Sequence, residues 1–181
     1  QRQMCIRDSG HVGRFDAQKN HTFLLDIFSE CVNIVPNARL LLVGDGEGRT
    51  QIQEKAKSLG LEEKVIFTGV RNDVADLLQA MDVFVFPSLY EGVPVTMIEA
   101  QASGLPCVIS DGVPKDCVIT SGLVTSMKLS DRPCDWAKHI AAQLNRKREN
   151  HLEEIQAAGY DIVTAAKELE NFYLKKYGEE S

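Results

Sequence analysis

The sequence predicts an α/β domain built on a parallel sheet, from three observations. Short apolar runs recur, and each stops at glycine, proline or aspartate. Stretches with apolar residues at helical spacing separate them. The runs are apolar nearly throughout rather than alternating, as strands are when helices cover both faces of a sheet. Right-handed crossovers wind such a chain into a doubly wound, Rossmann-like layer whose ligands sit over the carboxyl ends of the strands.

The first nine residues, QRQMCIRDS, show no periodicity and no initiator methionine, and they read as a non-native scar, so the domain is taken as residues 10–181. HVGRF (11–15) is the expected first strand. Leu24, Ile27, Phe28 and Cys31 then mark one face of a helix, and RLLLVG (39–44) is the second strand. Ile52, Ala56 and Leu59 predict the next helix, KVIFTG (64–69) the third strand, and Val74, Leu77, Leu78 and Met81 a further helix. DVFVFP (82–87) and PCVISD (106–111) are strands four and five, joined by VTMIEAQAS, which Pro94 starts and Gly104 stops. Beyond about residue 130 the pattern is helical, through CDWAKHIAAQL with Trp136 facing the core, to a tail with Ile162, Ala166, Leu169 and Phe172 on one face. That tail is expected to pack against the sheet, or to cross to a neighbouring domain.

Composition narrows the function. Twenty Lys and Arg stand against 26 Asp and Glu, a net charge of -6, which argues against nucleic-acid binding. An anionic ligand must be held by local geometry. Cysteines 5, 31, 107, 117 and 134 show no C-x-x-C spacing, so neither a zinc site nor a disulfide framework is suggested, and a reducing cytoplasmic setting fits. No run reaches the ~18 apolar residues of a membrane span, so any membrane contact is peripheral.

The chemistry concentrates in PSLYEGVPVTMIEAQASGLPCVISD (87–111). Glu91 falls in the loop after the fourth strand and Glu99 inside the next helix, so the two carboxylates approach one crevice from different heights. Carboxylate oxygens only accept, which suits them to sugar and ribose hydroxyls, and the helix start below offers N–H groups to phosphate. Spacing alone equally allows Glu91 as a solvated loop residue and Glu99 as a surface helix residue. In GRFDAQKN, Gly13 and Arg14 end the first strand and Lys19 precedes the next helix, so two cations face the same crevice. VGDGEGR is no dinucleotide fingerprint, because Arg49 stands where G-x-G-x-x-G needs its third small residue. His11, His21, His139 and His151 have no acidic partner or nucleophile nearby in sequence, and surface or core roles are expected for them.

EGVPVTMIEAQASGLPCVISD resembles the E-x7-E signature of the retaining, GT-B-type glycosyltransferases of family four, of the kind that build bacterial exopolysaccharide and capsule. HVGRFDAQKNHTFLLDIF, LLLVGDGEG, VIFTGVRNDVADLLQAMDVFVFPS and GLPCVISD fall in the order and spacing of that family's donor-binding half. The resemblance implies a carboxy-terminal donor domain whose amino-terminal acceptor domain is missing. It implies that Arg14 and Lys19 hold the diphosphate of a nucleotide-sugar, expected to be a UDP-sugar, in place of a metal. By the same resemblance Glu91 orients the sugar and Glu99 holds the ribose. Gly13, Val70, Arg71, Gly92, Val93 and Val95 would supply further donor contacts, Val70 and Arg71 beside the base. A hexosyl unit would pass with retention to a glycan or lipid-linked acceptor, which attacks on the face the leaving group vacates. No cofactor or metal is expected. The enzyme would work in the cytoplasm, with peripheral contact at the inner face of the membrane. Where the family often reads E-G-F-G-L-P, this chain has Pro94, which removes one N–H from the loop.

Two other readings stay open. A nucleotide-sugar epimerase of the same architecture would need catalytic acids or bases not evident in the sequence. A non-catalytic nucleotide-binding or receiver-like module, with Asp45 or Asp111 as phosphate acceptor, would need clustered acidic residues at the first strand.

Overall fold

The computed structural model describes residues 7–144 and 146–178. Six parallel strands form one sheet in the order β3-β2-β1-β4-β5-β6. They are β1 (Arg7–Val12), β2 (Ala38–Val43), β3 (Val65–Gly69), β4 (Val83–Phe86), β5 (Cys107–Ser110) and β6 (Val124–Met127). Helices α1 (His21–Ile34), α2 (Arg49–Ser58), α3 (Val74–Ala80), α4 (Val95–Ala102) and α5 (Pro133–Gln143) follow the predicted pattern. A short α6 (Leu152–Ile155) and α7 (Ile162–Gly178) complete the chain. The strand order reverses between β1 and β4, and that switch point is where doubly wound sheets bind ligands.

Strands buried on both faces divide their side chains between two cores. Val83, Val85 and Val108 join Leu24, Phe28, Trp136 and Ile140 under α1 and α5. Phe84, Phe86, Cys107 and Ile109 turn the other way, onto Met97, Ala100, Leu78 and Ile155 under α3, α4 and α6. Period two in the strands thus builds a three-layer domain, as the unbroken apolar runs require.

Three elements differ from expectation. β1 occupies 7–12 rather than 11–15, because it pairs with β2 along its whole length from Arg7↔Ala38 to Val12↔Val43. Residues 7–9 of the segment set aside as a scar therefore lie in the sheet, while residues 1–6 lie outside the described residues. Strand β6 has no apolar run to announce it, because VTSM is half polar; it is an edge strand paired with β5. The tail does not pack on the sheet as first expected. Gly159, at φ 88°, breaks the chain after α6, and Asp161 starts α7 by accepting from the Thr164 N–H and hydroxyl. Ile162, Leu169, Phe172 and Tyr177 are all exposed.

Candidate donor site at the sheet's switch point

Two loops at the carboxyl edge of the sheet build the site: the β1–α1 loop (13–20) and the β4–α4 loop (87–94). Gly13 leaves the sheet by donating to the Val43 carbonyl, Phe15 donates to Asp45 and Gly48 donates back to Phe15, so the β1–α1 and β2–α2 loops are zipped by backbone bonds. Gly44, at φ 135°, meets the Gly13 carbonyl so closely that a Cβ has no room, and Cβ atoms on Gly46 or Gly48 would press on the Phe15 backbone. The glycines of VGDGEGR are therefore spent on this contact between loops, which explains their dinucleotide-like spacing.

Across the switch point, Lys19 Nζ lies 2.6 Å from Glu91 Oε1. The pair is largely shielded, with side-chain exposures of 16% and 5%, and it sits over the Phe86 ring, 4.8 Å from Lys19 Nζ to the centroid. Gln18 Nε2 donates to Glu91 Oε2 at 3.2 Å and to the Tyr90 carbonyl, and Asn20 donates to the Pro87 carbonyl. Leu89 N–H reaches back to the Gln18 carbonyl and Glu91 N–H to that of Gly112. Asp16 Oδ1 accepts from Lys19 N–H and fixes the turn that presents the lysine. Lys19 and Glu91, each expected at one crevice, are thus brought together as an ion pair from opposite sides of the switch point.

The other predicted residues divide. Glu99 is exposed on α4, and partial burial raises its carboxyl above the usual range. Gly92, Val93 and Val95 form an exposed rim, the two valines each 62% accessible, and Pro94 occupies the N-cap of α4 rather than its first turn. The Pro94 carbonyl accepts from Met97 and Ile98, which leaves the Val95 and Thr96 amides at the helix start. Val70 is exposed, and Arg71 is held by Asp73 through two hydrogen bonds, Nε to Oδ1 at 2.8 Å and Nη2 to Oδ2 at 2.5 Å. The expectation that Arg14 faces the same crevice as the glutamates is corrected in one respect. Arg14 is exposed on the wall of a cavity of about 730 Å³ between the β1–α1 and β2–α2 loops, which Glu91 and Glu99 do not line.

Two histidines lie beneath the site, and sequence spacing did not place them there. His11 and His21 are buried edge to face, with ring centroids 4.7 Å apart. His11 Nδ1 is 2.9 Å from the Val85 carbonyl, and the His21 ring stacks on Phe15 at 4.2 Å. Burial pushes the His21 imidazole down to about 4, with nearby Lys19 acting the same way, and burial pushes His11 well below its usual value. Both are neutral at pH 7. An aromatic neighbourhood at residues far apart in sequence leaves no spacing signal.

Among the described residues no helix is long and apolar enough to cross a membrane. The family model for glycosyl transferases group 1 matches residues 7–146. Among curated relatives, the putative glycosyltransferase EpsF of Bacillus subtilis is 41% identical over 167 residues, 91% of this chain and 44% of that protein. The Escherichia coli UDP-Gal:alpha-D-GlcNAc-diphosphoundecaprenol alpha-1,3-galactosyltransferase is 35% identical over 111 residues, 60% of this chain and 29% of that protein. The chain thus spans less than half the length of either relative. Of solved structures, Anabaena Alr3699/HepE in complex with UDP and glucose superposes with a TM-score of 0.79 at 23% identity, covering 93% of this chain and 48% of that one. Sucrose-phosphate synthase from Thermosynechococcus elongatus gives 0.81 at 24% identity, covering 96% and 46%. These likenesses show the same fold, a Rossmann-like half of the GT-B architecture. With its motifs in register, its switch-point site assembled and most of its length matched, the chain belongs to the glycosyl transferases group 1 family.

Proposed function

We propose that this chain is the nucleotide-sugar-binding domain of a retaining hexosyltransferase that uses a UDP-sugar without a metal ion, in the cytoplasm. A second, amino-terminal domain would bring a glycan or lipid-linked acceptor, with peripheral membrane contact. The observation that carries this reading is the Lys19–Glu91 contact, which joins two motifs 72 residues apart at the switch point. A UDP donor is supported by the UDP-bound HepE structure and by the UDP-Gal named for the Escherichia coli relative.

Lys19 carries three N–H donors and spends one on Glu91, so the others can meet a diphosphate without breaking the ion pair. Arg14 approaches the same diphosphate from the loop's other side. Fixed cations are what a departing nucleoside diphosphate needs, because negative charge grows there as the glycosidic bond breaks. In that step the bond from the anomeric carbon to the diphosphate oxygen breaks and the acceptor oxygen bonds the same carbon on the same face. The acceptor's proton ends on the departing diphosphate. Each Glu91 oxygen accepts one bond, from Lys19 and from Gln18, and keeps acceptor capacity for a sugar hydroxyl. Glu99, with no hydrogen bond to its carboxylate among the described residues, is free to accept from the ribose diol.

Calorimetric titration of the 181-residue chain with UDP, GDP and ADP, free of magnesium, tests the reading. UDP is expected to bind saturably, and Lys19→Ala to weaken it by about 10- to 100-fold, the loss of one charge-assisted contact. Equal binding by wild type and variant, or binding of none of the three nucleotides, would overturn the assignment of this site.

A further inference from the structure

Lys19 is flanked by two side-chain amides, and Gln18, Lys19 and Asn20 all reach the same β4–α4 loop. A tight turn makes this possible. Asp16 Oδ1 accepts from Lys19 N–H, Asn20 N–H donates to the Ala17 carbonyl, and Asn20 is left-handed at φ 54°, a conformation that asparagine tolerates better than most residues. Gln18 and Lys19 therefore fan out to the two oxygens of one carboxylate. Lys19 Nζ meets Glu91 Oε1 at 2.6 Å, and Gln18 Nε2 meets Oε2 at 3.2 Å. With a donor on each oxygen the carboxylate plane is set, because turning it would break both contacts. The Glu91 side chain is only 5% exposed, so the directions left open to a hydroxyl are the few that this plane allows.

The Gln18 amide can stand only one way round. Its nitrogen faces two acceptors, the Tyr90 carbonyl at 2.9 Å and Glu91 Oε2, and they match its two N–H groups. Glutamate, whose carboxylate oxygens only accept, would face both with the wrong polarity, and methionine would offer neither bond. Nor does the loop depend on this side chain. Leu89 N–H donates to the Gln18 main-chain carbonyl, Asn20 Nδ2 to the Pro87 carbonyl and Glu91 N–H to the Gly112 carbonyl, which together tie down residues 87–91. What the Gln18 side chain adds to those three bonds is its hold on the second oxygen of Glu91.

We propose that Gln18 is a positioning residue that acts through Glu91. By fixing the carboxylate plane it aims the remaining acceptor capacity of Glu91 at the hydroxyls of the donor's sugar, and so makes the site select a nucleotide-sugar over the free nucleotide. The proposal rests on the donor reading of Lys19 and Glu91. To test it, the 181-residue chain and its Gln18→Met and Gln18→Glu variants are titrated calorimetrically with UDP, UDP-glucose and UDP-galactose, and the thermal midpoint of each protein is measured. Gln18→Met keeps the length of the side chain and removes its donors. It is expected to weaken the UDP-sugar that the wild type binds more tightly by about tenfold, the loss of one hydrogen bond to a charged group. UDP affinity and the thermal midpoint should hold, because Lys19 and the three other bonds to the loop remain. Gln18→Glu reverses the polarity at the same size and should weaken that UDP-sugar further. Its added charge also opposes the diphosphate, so the readout is the ratio of UDP-sugar to UDP affinity, which a merely structural role would leave unmoved. An unchanged ratio in both variants would overturn the proposal, whether both affinities fall together, as a loosened loop would give, or neither falls. A wild type that takes UDP but neither sugar would overturn it as well. Absence of UDP binding would instead overturn the donor reading, and this proposal with it.

Discussion

Lowering the pH from 7 to 5 is expected to destabilise this domain by about 2 kcal/mol through His21 alone. His21 is neutral in the folded protein because burial, with Lys19 nearby, holds its imidazole near 4, against 6.5 for the exposed group. Between those values the unfolded chain binds a proton that the folded chain refuses, so stability is present above pH 6.5 and is lost as the pH falls towards 4. His11, depressed more strongly by burial, acts in the same direction. The carboxyls of Asp8 and Glu99, raised by burial, act in the opposite direction. For a domain of this size 2 kcal/mol corresponds to a fall of about 6 °C in the thermal midpoint. His21→Phe keeps the stack on Phe15 and removes two unpartnered nitrogens. It is expected to be neutral or stabilising at pH 7 and to shrink the loss at pH 5. Thermal melts of both proteins at the two pH values check this; equal losses would show that His21 is not held neutral.

Gln101→Met is expected to lower stability by about 3 kcal/mol with little change in side-chain volume. The Gln101 side chain is fully buried on α4 and serves as a double-ended clamp. Its Oε1 accepts from the N–H groups of Ile119 and Thr120 and from the Thr120 hydroxyl, and its Nε2 donates to the carbonyls of Cys117 and Met97. Methionine leaves three donors unmatched, the two on Thr120 buried and that of Ile119 partly so, which costs more than the bonds contributed. The segment it anchors, 112–120, carries the Gly112 carbonyl that receives Glu91 N–H. Trypsin should therefore cut first at Lys115 in the variant, and UDP affinity should fall with the loop's order. Denaturant unfolding and limited proteolysis check both effects. A variant as stable and as resistant as wild type would mean that the segment holds itself in place.

Much of the site was legible because its chemistry is carried by loops at strand ends, and strand ends are marked in the sequence by glycine, proline and aspartate. Lys19 and Glu91 are expected from separate motifs to face one crevice, and the structure brings them into direct contact at 2.6 Å, which the sequence does not foretell. Arg14 was grouped with them because sequence order cannot tell which side of a loop a side chain leaves from. The zipping of Phe15 to Asp45 and Gly48 turns that loop so that Arg14 faces the β2–α2 side. Val70 and Arg71 were placed near a base by position in the chain; in the structure Arg71 is tied to Asp73.

By itself the sequence determined the alternation of buried strands and amphipathic helices, and with it the doubly wound sheet. Both follow from periodicity, a property of neighbours along the chain. It also determined which loops carry carboxylates and cations. Only the tertiary structure decided where β1 begins and that VTSM is a strand, because pairing energy comes from another segment: β2 along the length of β1, and β5 beside β6. The same holds for the buried His11–His21 pair, the Gln101 clamp and the cavity between α1 and α2. Each depends on groups brought together by the sheet order, and no local pattern in a chain records which distant residues will stand beside it.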